Sequence, residues 1–294
     1  MSRIRRIAKE SAACLASARR RKPHALAVLA IFKNEEHALA EWVQHYAAQG
    51  ASAIHLVNNN SNDGFAAVLR AFQESGLVVL HHDSRMHAQR EIYNDHLQVL
   101  RSQCEWLVVC DLDEFIYARR GHPNLLAYLR TQPRWVSAVQ VPWKMFGSSG
   151  HRQHPEQGLR QGFTRRADAD QAHPCMPGPH RIAAKTIARC SRVRSLDVHC
   201  CNLLWGRRIL PDGSTAQPGS FQPLNEALLE RSSVHLNHYA VQSEEIFRRT
   251  KMTRGDVNAA EYANSRDMAY FRRYDTNDIV DAELAELAEG CGPL

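Results

Sequence analysis

Two carboxylates one residue apart, Asp111 and Asp113, follow the apolar run Trp106–Cys110 (WLVVC). Paired hard oxygens at the end of a strand suit Mg2+ or Mn2+, and such a cation would in turn hold a diphosphate. With 14 aspartates in 294 residues, an Asp-x-Asp pair arises by chance roughly 0.7 times. It occurs twice. Asp168-Ala-Asp170 lies in a polar stretch with no strand before it and serves as an internal control. Asp111 and Asp113 project to one side if the chain stays extended there; the bland alternative is a solvated acidic turn.

The elements that must position this pair follow from hydrophobic patterning. Residues 25–32 (ALAVLAIF) read as a buried strand, and Glu36–Gln49 as a helix closed by Gly50. Ala53–Val57 is a second strand, ending in the polar turn Asn58–Gly64. A helix over Phe65–Glu74, a strand over Leu77–Leu80, a helix from about Met86 to Gln103 and the strand Trp106–Cys110 complete the run. This β-α-β-α-β-α-β alternation predicts an α/β fold, a mostly parallel sheet wrapped by helices. Ligands in such sheets bind beyond the carboxyl ends of the strands. Four polar clusters fall there: Lys33–Glu35, Asn58–Asp63, His81–Asp83 and Asp111–Glu114. The second half is less regular. It offers a strand at Val136–Val141, a Gly/Ser-rich loop over Trp143–His151, a long loop or lid over 152–180, and short strands at Lys185–Ala188 and Val234–His238. A helix capped by Ser243 runs to about Thr253.

Composition is that of an ordinary globular chain, 44% hydrophobic and 23% charged, which excludes a disordered or fibrous protein. No apolar run approaches the ~20 residues of a membrane span. The net charge of +6 is uneven. Residues 1–22 hold eight Lys/Arg against Glu10, so the rest carries −1 and gives no reason to expect a nucleic-acid partner. The arm, residues 1–24, has a weak amphipathic pattern suited to peripheral contact with an anionic membrane, the alternative being a solvated basic tail. It lacks the features of a secretory signal, so a cytoplasmic location is expected, with contact at the inner membrane face open to the arm. The eight cysteines form no CxxC and no zinc spacing, and read as free thiols.

From about Ala27 to Asp256 the chain resembles the GT-A glycosyltransferases, specifically the family 92 group and its bacterial family 2-like relatives. The resemblance is carried by Ala30–Asp63, by AQREIYNDHL (Ala88–Leu97), by WLVVCDLDEF (Trp106–Phe115), by WKMFGSSGH, by KTI (Lys185–Ile187) and by LNHYAVQSEEIFRRTKMTRGD (Leu236–Asp256). It implies a GT-A, Rossmann-like domain over 25–256, with a nucleotide-sugar half at 25–118 and an irregular acceptor half at 119–256. Residues 257–294 would be a C-terminal helical extension. It also implies Mn2+ or Mg2+ as cofactor, a nucleotide-sugar donor of the UDP type, and a glycan or glycolipid acceptor. Asn34, Glu35, Asn58, Asn59, Arg90, Asp111, Lys251 and Arg254 are the implied donor residues. Asn58 and Asn59 stand where many relatives carry Asp-Asp or Asp-Asn, so the base stays open. Arg90 has a surface pair with Glu91 or Asp95 as its alternative.

Such folds often add a histidine to the metal, and two are well placed. His238 is preferred, with Asp111 and Asp113; His199 goes to the acceptor side with Trp143 and Phe146, which are equally readable as core residues. An inverting transfer needs a carboxylate base, for which Asp197, Glu156 and Asp168 are candidates and none is singled out. Two rivals remain: a haloacid-dehalogenase-like phosphatase, because VVCDLDE resembles its nucleophile motif, and a non-catalytic GT-A carbohydrate-binding or scaffold module.

Overall fold

The computed structural model describes residues 22–174, 178, 180–253 and 266–289. The N-terminal arm up to residue 21, and Arg254, lie outside the described residues. The first half alternates β1 (His24–Phe32), α1 (Glu36–Ala48), β2 (Ala53–Asn58), α2 (Phe65–Glu74), β3 (Val78–His82), α3 (Gln89–Gln103) and β4 (Cys104–Val109). Then come β5 (Glu114–Ala118), α4 (Leu125–Thr131), β6 (Val136–Met145), α5 (Gly158–Gly162), β7 (Arg165–Arg166) and β8 (Arg181–Arg189). The rest comprises β9 (Val193–Leu196), β10 (Cys201–Leu203), β11 (Arg207–Ile209), β12 (Phe221–Pro223), α6 (Glu226–Arg231) and β13 (Val234–His238). It closes with α7 (Glu244–Ile246), α8 (Met268–Tyr274), β14 (Ile279–Val280) and α9 (Glu283–Glu289).

Ten strands form one sheet, ordered β3-β2-β1-β4-β8-β6-β13-β5, with β11 on β6 and β12 on β8. The first four are parallel, as the alternation requires. β1 reads as continuously apolar because both of its faces are covered. Leu26, Val28, Ala30 and Phe32 join Trp42, Val43 and Tyr46 of α1, whereas Ala27, Leu29 and Ile31 join Ile92, Tyr93, Leu97 and Leu100 of α3. Beyond β4 the order mixes directions: β8 is antiparallel to β4 and β6, and β13 is parallel to β6 but antiparallel to β5.

Three expectations change. β6 runs on through Met145, because Trp143, Lys144 and Met145 pair with Leu236, Asn237 and His238, so the loop begins only at Phe146. The stretch 152–180 is not a bare loop. Glu41 of α1 accepts from the backbone N–H of Leu159 and Arg160, anchoring α5, and β7 pairs with β14. Within the expected helical extension, the described residues form a helix, a strand and a helix bound into the body. Asp281 accepts from buried Lys144 (2.9 Å) and Arg166 (2.7 Å), and Glu283 from Tyr117 (2.8 Å). Among the described residues no helix is long and apolar enough to cross a membrane, and the described cysteines are free thiols.

Candidate active site

The chain turns sharply after β4. The Glu114 N–H donates to the Asp111 carbonyl at 3.1 Å, and α1 clamps the turn from below. The buried Trp42 indole donates to the carbonyls of Asp111 (3.0 Å) and Glu114 (3.1 Å). The Tyr46 hydroxyl donates to the Glu114 carbonyl and accepts from the Ile116 N–H, both at 3.1 Å. The pair is therefore not extended, and its carboxylates part company. Asp111 accepts from Lys185 Nζ at 2.9 Å and meets Gln89 Nε2 at 3.4 Å. Asp113 is held by Lys251, with His238 Nε2 3.7 Å from its other oxygen.

Register brings the distant parts in. β13 pairs antiparallel with β5, placing His238 opposite Glu114, and the Tyr239 N–H donates to the Asp113 carbonyl at 2.9 Å. β8 pairs Thr186 with Val109, so Lys185 arrives beside the end of β4. Lys185 is 0% exposed and bridges Asp111 to Glu114 Oε2 (3.3 Å). Lys251 ends a π-helical turn, Phe247–Lys251, and stands 3.9 Å from Glu35. A buried basin results, with four carboxylates (Glu35, Asp111, Asp113, Glu114) around two ammonium groups.

Burial opposes ionisation throughout, and the neighbours decide each outcome. At Asp113 the charges of Lys251 and His238 outweigh burial and hold the carboxyl well below the usual range. At Asp111, burial and the repulsion of Asp113 push up, and Lys185 outweighs them and lowers the carboxyl. Burial wins at Glu114, whose carboxyl is pushed well above the usual range despite Lys185, with Asp111 and Asp113 adding to the effect. Lys185 is itself raised, because Asp111 and Glu114 overcome its burial. Burial and Lys185 take His199 down to about 3, so it is neutral at physiological pH.

One ligand atom each from Asp113, Glu114 and His238 lies within 4.8 Å of the others. Asp113 Oδ1, Glu114 Oε1 and His238 Nδ1 are buried with no hydrogen-bond partner. Unpaired buried acceptors are costly, and carboxylate oxygens with an imidazole are a donor set that Mn2+ or Mg2+ takes. The residues present therefore fit a divalent cation, with Glu114 in the place expected of Asp111.

The structure sorts the remaining expectations. Trp143 is half-buried at the basin wall, its ring 4.1 Å from His238 and 5.1 Å from His199, and its indole nitrogen is buried without a partner. Phe146 is corrected: at 1% exposed it packs on Tyr239 and offers no face to a sugar. The turn beside it is tied to the C-terminal segment, since Asp275 accepts from the Ser148 N–H (2.6 Å) and Asn277 from the Ser149 N–H (2.8 Å).

Asn34, Asn58 and Asn59 lace the strand-end loops together. Asn34 accepts from Asn62 N–H (2.9 Å), Asn58 from Ser61 N–H (2.8 Å), and Asn59 donates to the Asp83 carbonyl (2.7 Å). Arg90 is exposed, 3.8 Å from Glu91. Among the candidate bases, Asp197 accepts from Val198 N–H and Glu156 is exposed. Asp168 and Asp170 accept from backbone N–H groups, which makes the control pair a set of turn caps. Sequence reasoning missed Glu114 and Lys185 as site residues. The signal for Lys185 was there, a lone charge inside the apolar strand IAAKTIA, which only a buried counter-charge can stabilise.

A two-faced, mostly parallel sheet with an acidic, lysine-threaded basin at its strand ends is an α/β domain whose basin sits at the edge where ligands of such sheets bind. The family model of glycosyltransferase family 92 matches residues 22–281, and the chain belongs to that family. A family 92 protein of Oryza sativa subsp. japonica is 28% identical over 167 residues, 55% of this chain and 28% of its own length. One of Ricinus communis is 26% identical, covering 56% of this chain and 31% of its own. This chain thus spans under a third of these relatives. Among solved structures, Staphylococcus aureus TarS 1–349 aligns with a TM-score of 0.34 and 13% identity, over 57% of this chain and 47% of that one.

Proposed function

We propose that this chain is a metal-dependent glycosyltransferase, moving a sugar from a nucleoside-diphosphate donor to an acceptor hydroxyl with inversion. The observation that carries the reading is the cluster of Asp113, Glu114 and His238 at the strand-end edge, where one ligand atom of each lies within 4.8 Å of the others and each side chain holds a buried atom without a hydrogen-bond partner. When bound, Mn2+ or Mg2+ supplies a Lewis acid and template for the leaving diphosphate. The residues do the rest. Asp113, Glu114 and His238 hold the cation, while Lys185 neutralises Asp111 and keeps the turn rigid. Lys251 carries a positive charge on an element that can present it to the departing phosphate. Trp143 gives the basin an apolar wall against which a sugar face can lie. Uridine diphosphate is the nucleotide to test first, and a glycan or glycolipid is the acceptor class.

Calorimetric titration with uridine diphosphate, with and without Mn2+, tests the reading. Wild type should bind in a metal-dependent way. Asp113→Asn and His238→Ala should lose that dependence, and Asp170→Asn should keep it. Equal affinity in all three variants would overturn it. Hydrolysis of a generic phosphomonoester would favour the phosphatase instead, and binding without turnover of any sugar nucleotide would favour the scaffold module.

A further inference from the structure

The opposite edge of the sheet, where β1, β4 and β6 begin, carries a second feature that catalysis does not use. Trp135 and Trp205 stand there 50% and 42% exposed, whereas Trp42 and Trp106 are buried. Their presentation is fixed. The Arg207 N–H donates to the Trp135 carbonyl at 3.0 Å, and Ser137 Oγ to the Trp205 carbonyl at 2.9 Å. Any Cβ on Gly206, which has φ +89°, would run into Ser137 Oγ.

Arginines frame both rings. Arg192 lies 3.9 Å over Trp205 and Arg207 5.7 Å over Trp135, with Arg134 and Arg194 exposed alongside. Among the described residues no carboxylate lies within salt-bridge distance of these four arginines; Glu105 contacts Arg189 next to them. Burial, together with the nearby Arg189 and against the opposing pull of Glu105, lowers the Arg192 guanidinium to about 10. The chain also enters the described structure on this edge, where Lys22 donates to the Arg101 carbonyl.

We infer that this edge is a docking surface for an anionic lipid bilayer. Half-exposed indoles are the side chains that settle at the headgroup level, and clustered Lys/Arg supply the attraction to anionic headgroups. The alternative anionic polymer, a nucleic acid, would stack its bases on aromatic faces. Here the arginines already stand over those faces. The nine residues of β1 span about 30 Å, so a docked protein holds its acidic basin about that far from the lipid.

The test is co-sedimentation of the full chain with phosphatidylcholine vesicles containing 30 mol% phosphatidylglycerol (about a third, enough for a strong surface potential). Neutralising Arg134, Arg194 and Arg207 together to Gln should lower partitioning about a hundredfold, roughly fivefold per arginine. Trp135→Ala/Trp205→Ala should remove the fluorescence quenching that brominated acyl chains cause in wild type. Both variants carry only exposed changes and should keep the wild-type circular dichroism and melting temperature. Wild-type partitioning by the arginine variant, or equal binding to pure phosphatidylcholine, would overturn the inference. So would tighter binding to a single-stranded RNA than to vesicles at the same salt.

Discussion

Replacing Lys251 by Met gives a prediction with two opposite signs. Its ammonium pairs with Asp113 inside the basin, both side chains almost fully buried. His238 Nε2, at 3.7 Å from the other Asp113 oxygen, is too far to hydrogen-bond in its place. Removing one partner of a buried pair costs about 3–5 kcal/mol. At about 2–4 °C per kcal/mol for a chain of this class, the melting temperature should fall by roughly 6–20 °C. A divalent cation entering the wild-type basin must displace Lys251 or share Asp113 with it. The ammonium–carboxylate attraction it competes with is about 4 kcal/mol at an effective dielectric of about 20. Lys251→Met should therefore bind Mn2+ at least tenfold more tightly in the absence of nucleotide, a conservative share of that attraction. Mn2+ at a hundredfold excess over Kd adds about 2.7 kcal/mol, enough to restore most of the lost melting temperature. Uridine diphosphate affinity at saturating Mn2+ should move the other way and weaken, because the cation that meets the phosphate is gone. Thermal melts across a Mn2+ series and calorimetry read all three quantities. If Mn2+ stabilises the variant less than wild type, Lys251 does not compete with a metal and the reasoning fails.

Lys185→Met strips the counter-charge from Asp111 and Glu114 at a fully buried position, so a loss of about 3–5 kcal/mol is expected in chemical denaturation. Lys185→Arg should not rescue it, because the ammonium is fully buried between Asp111 and Glu114 and a guanidinium is a larger, planar head. Gly147→Ala should loosen the C-terminal segment, since its Cβ would run into the Thr276 carbonyl; faster proteolysis after residue 266 with little change elsewhere is the readout. Stability should also fall in acid. Burial raises the Asp281 carboxyl but Lys144 and Arg166 outweigh it, and Glu283 is likewise lowered by His235 against its burial. With folded values below the unfolded 3.8 and 4.5, the stabilisation is complete above about pH 5 and is lost as pH falls through the folded values. Asp281→Asn should be less stable than wild type at pH 7 and show a shallower decline towards pH 3; parallel curves would contradict this.

The sequence by itself determined the first half. Strands buried on both faces must be continuously apolar, and helices that cover a sheet must repeat at 3.6, so β1 to β4 and α1 to α3 were readable to within a few residues. For the same reason the Asp111–Asp113 pair was readable as belonging to the strand-end edge. What only the tertiary structure decided are the pairings made between segments far apart in the chain. Lys185 lies 74 residues from Asp111, and Lys251 lies 138 from Asp113. Periodicity carries no information about which partner a strand will take, so neither lysine could be matched to its carboxylate. The direction of each carboxylate was equally out of reach. It depends on Trp42 and Tyr46 capturing the carbonyls of a turn that the local pattern reads as extended. Phe146 and the loop after it read as open because their partners, Tyr239 for Phe146 and Asp275 and Asn277 for Ser148 and Ser149, come from segments far along the chain. Local spacing specifies faces and strand ends; long-range register decides which charges meet there, because a buried charge is stable only beside the partner that the fold delivers.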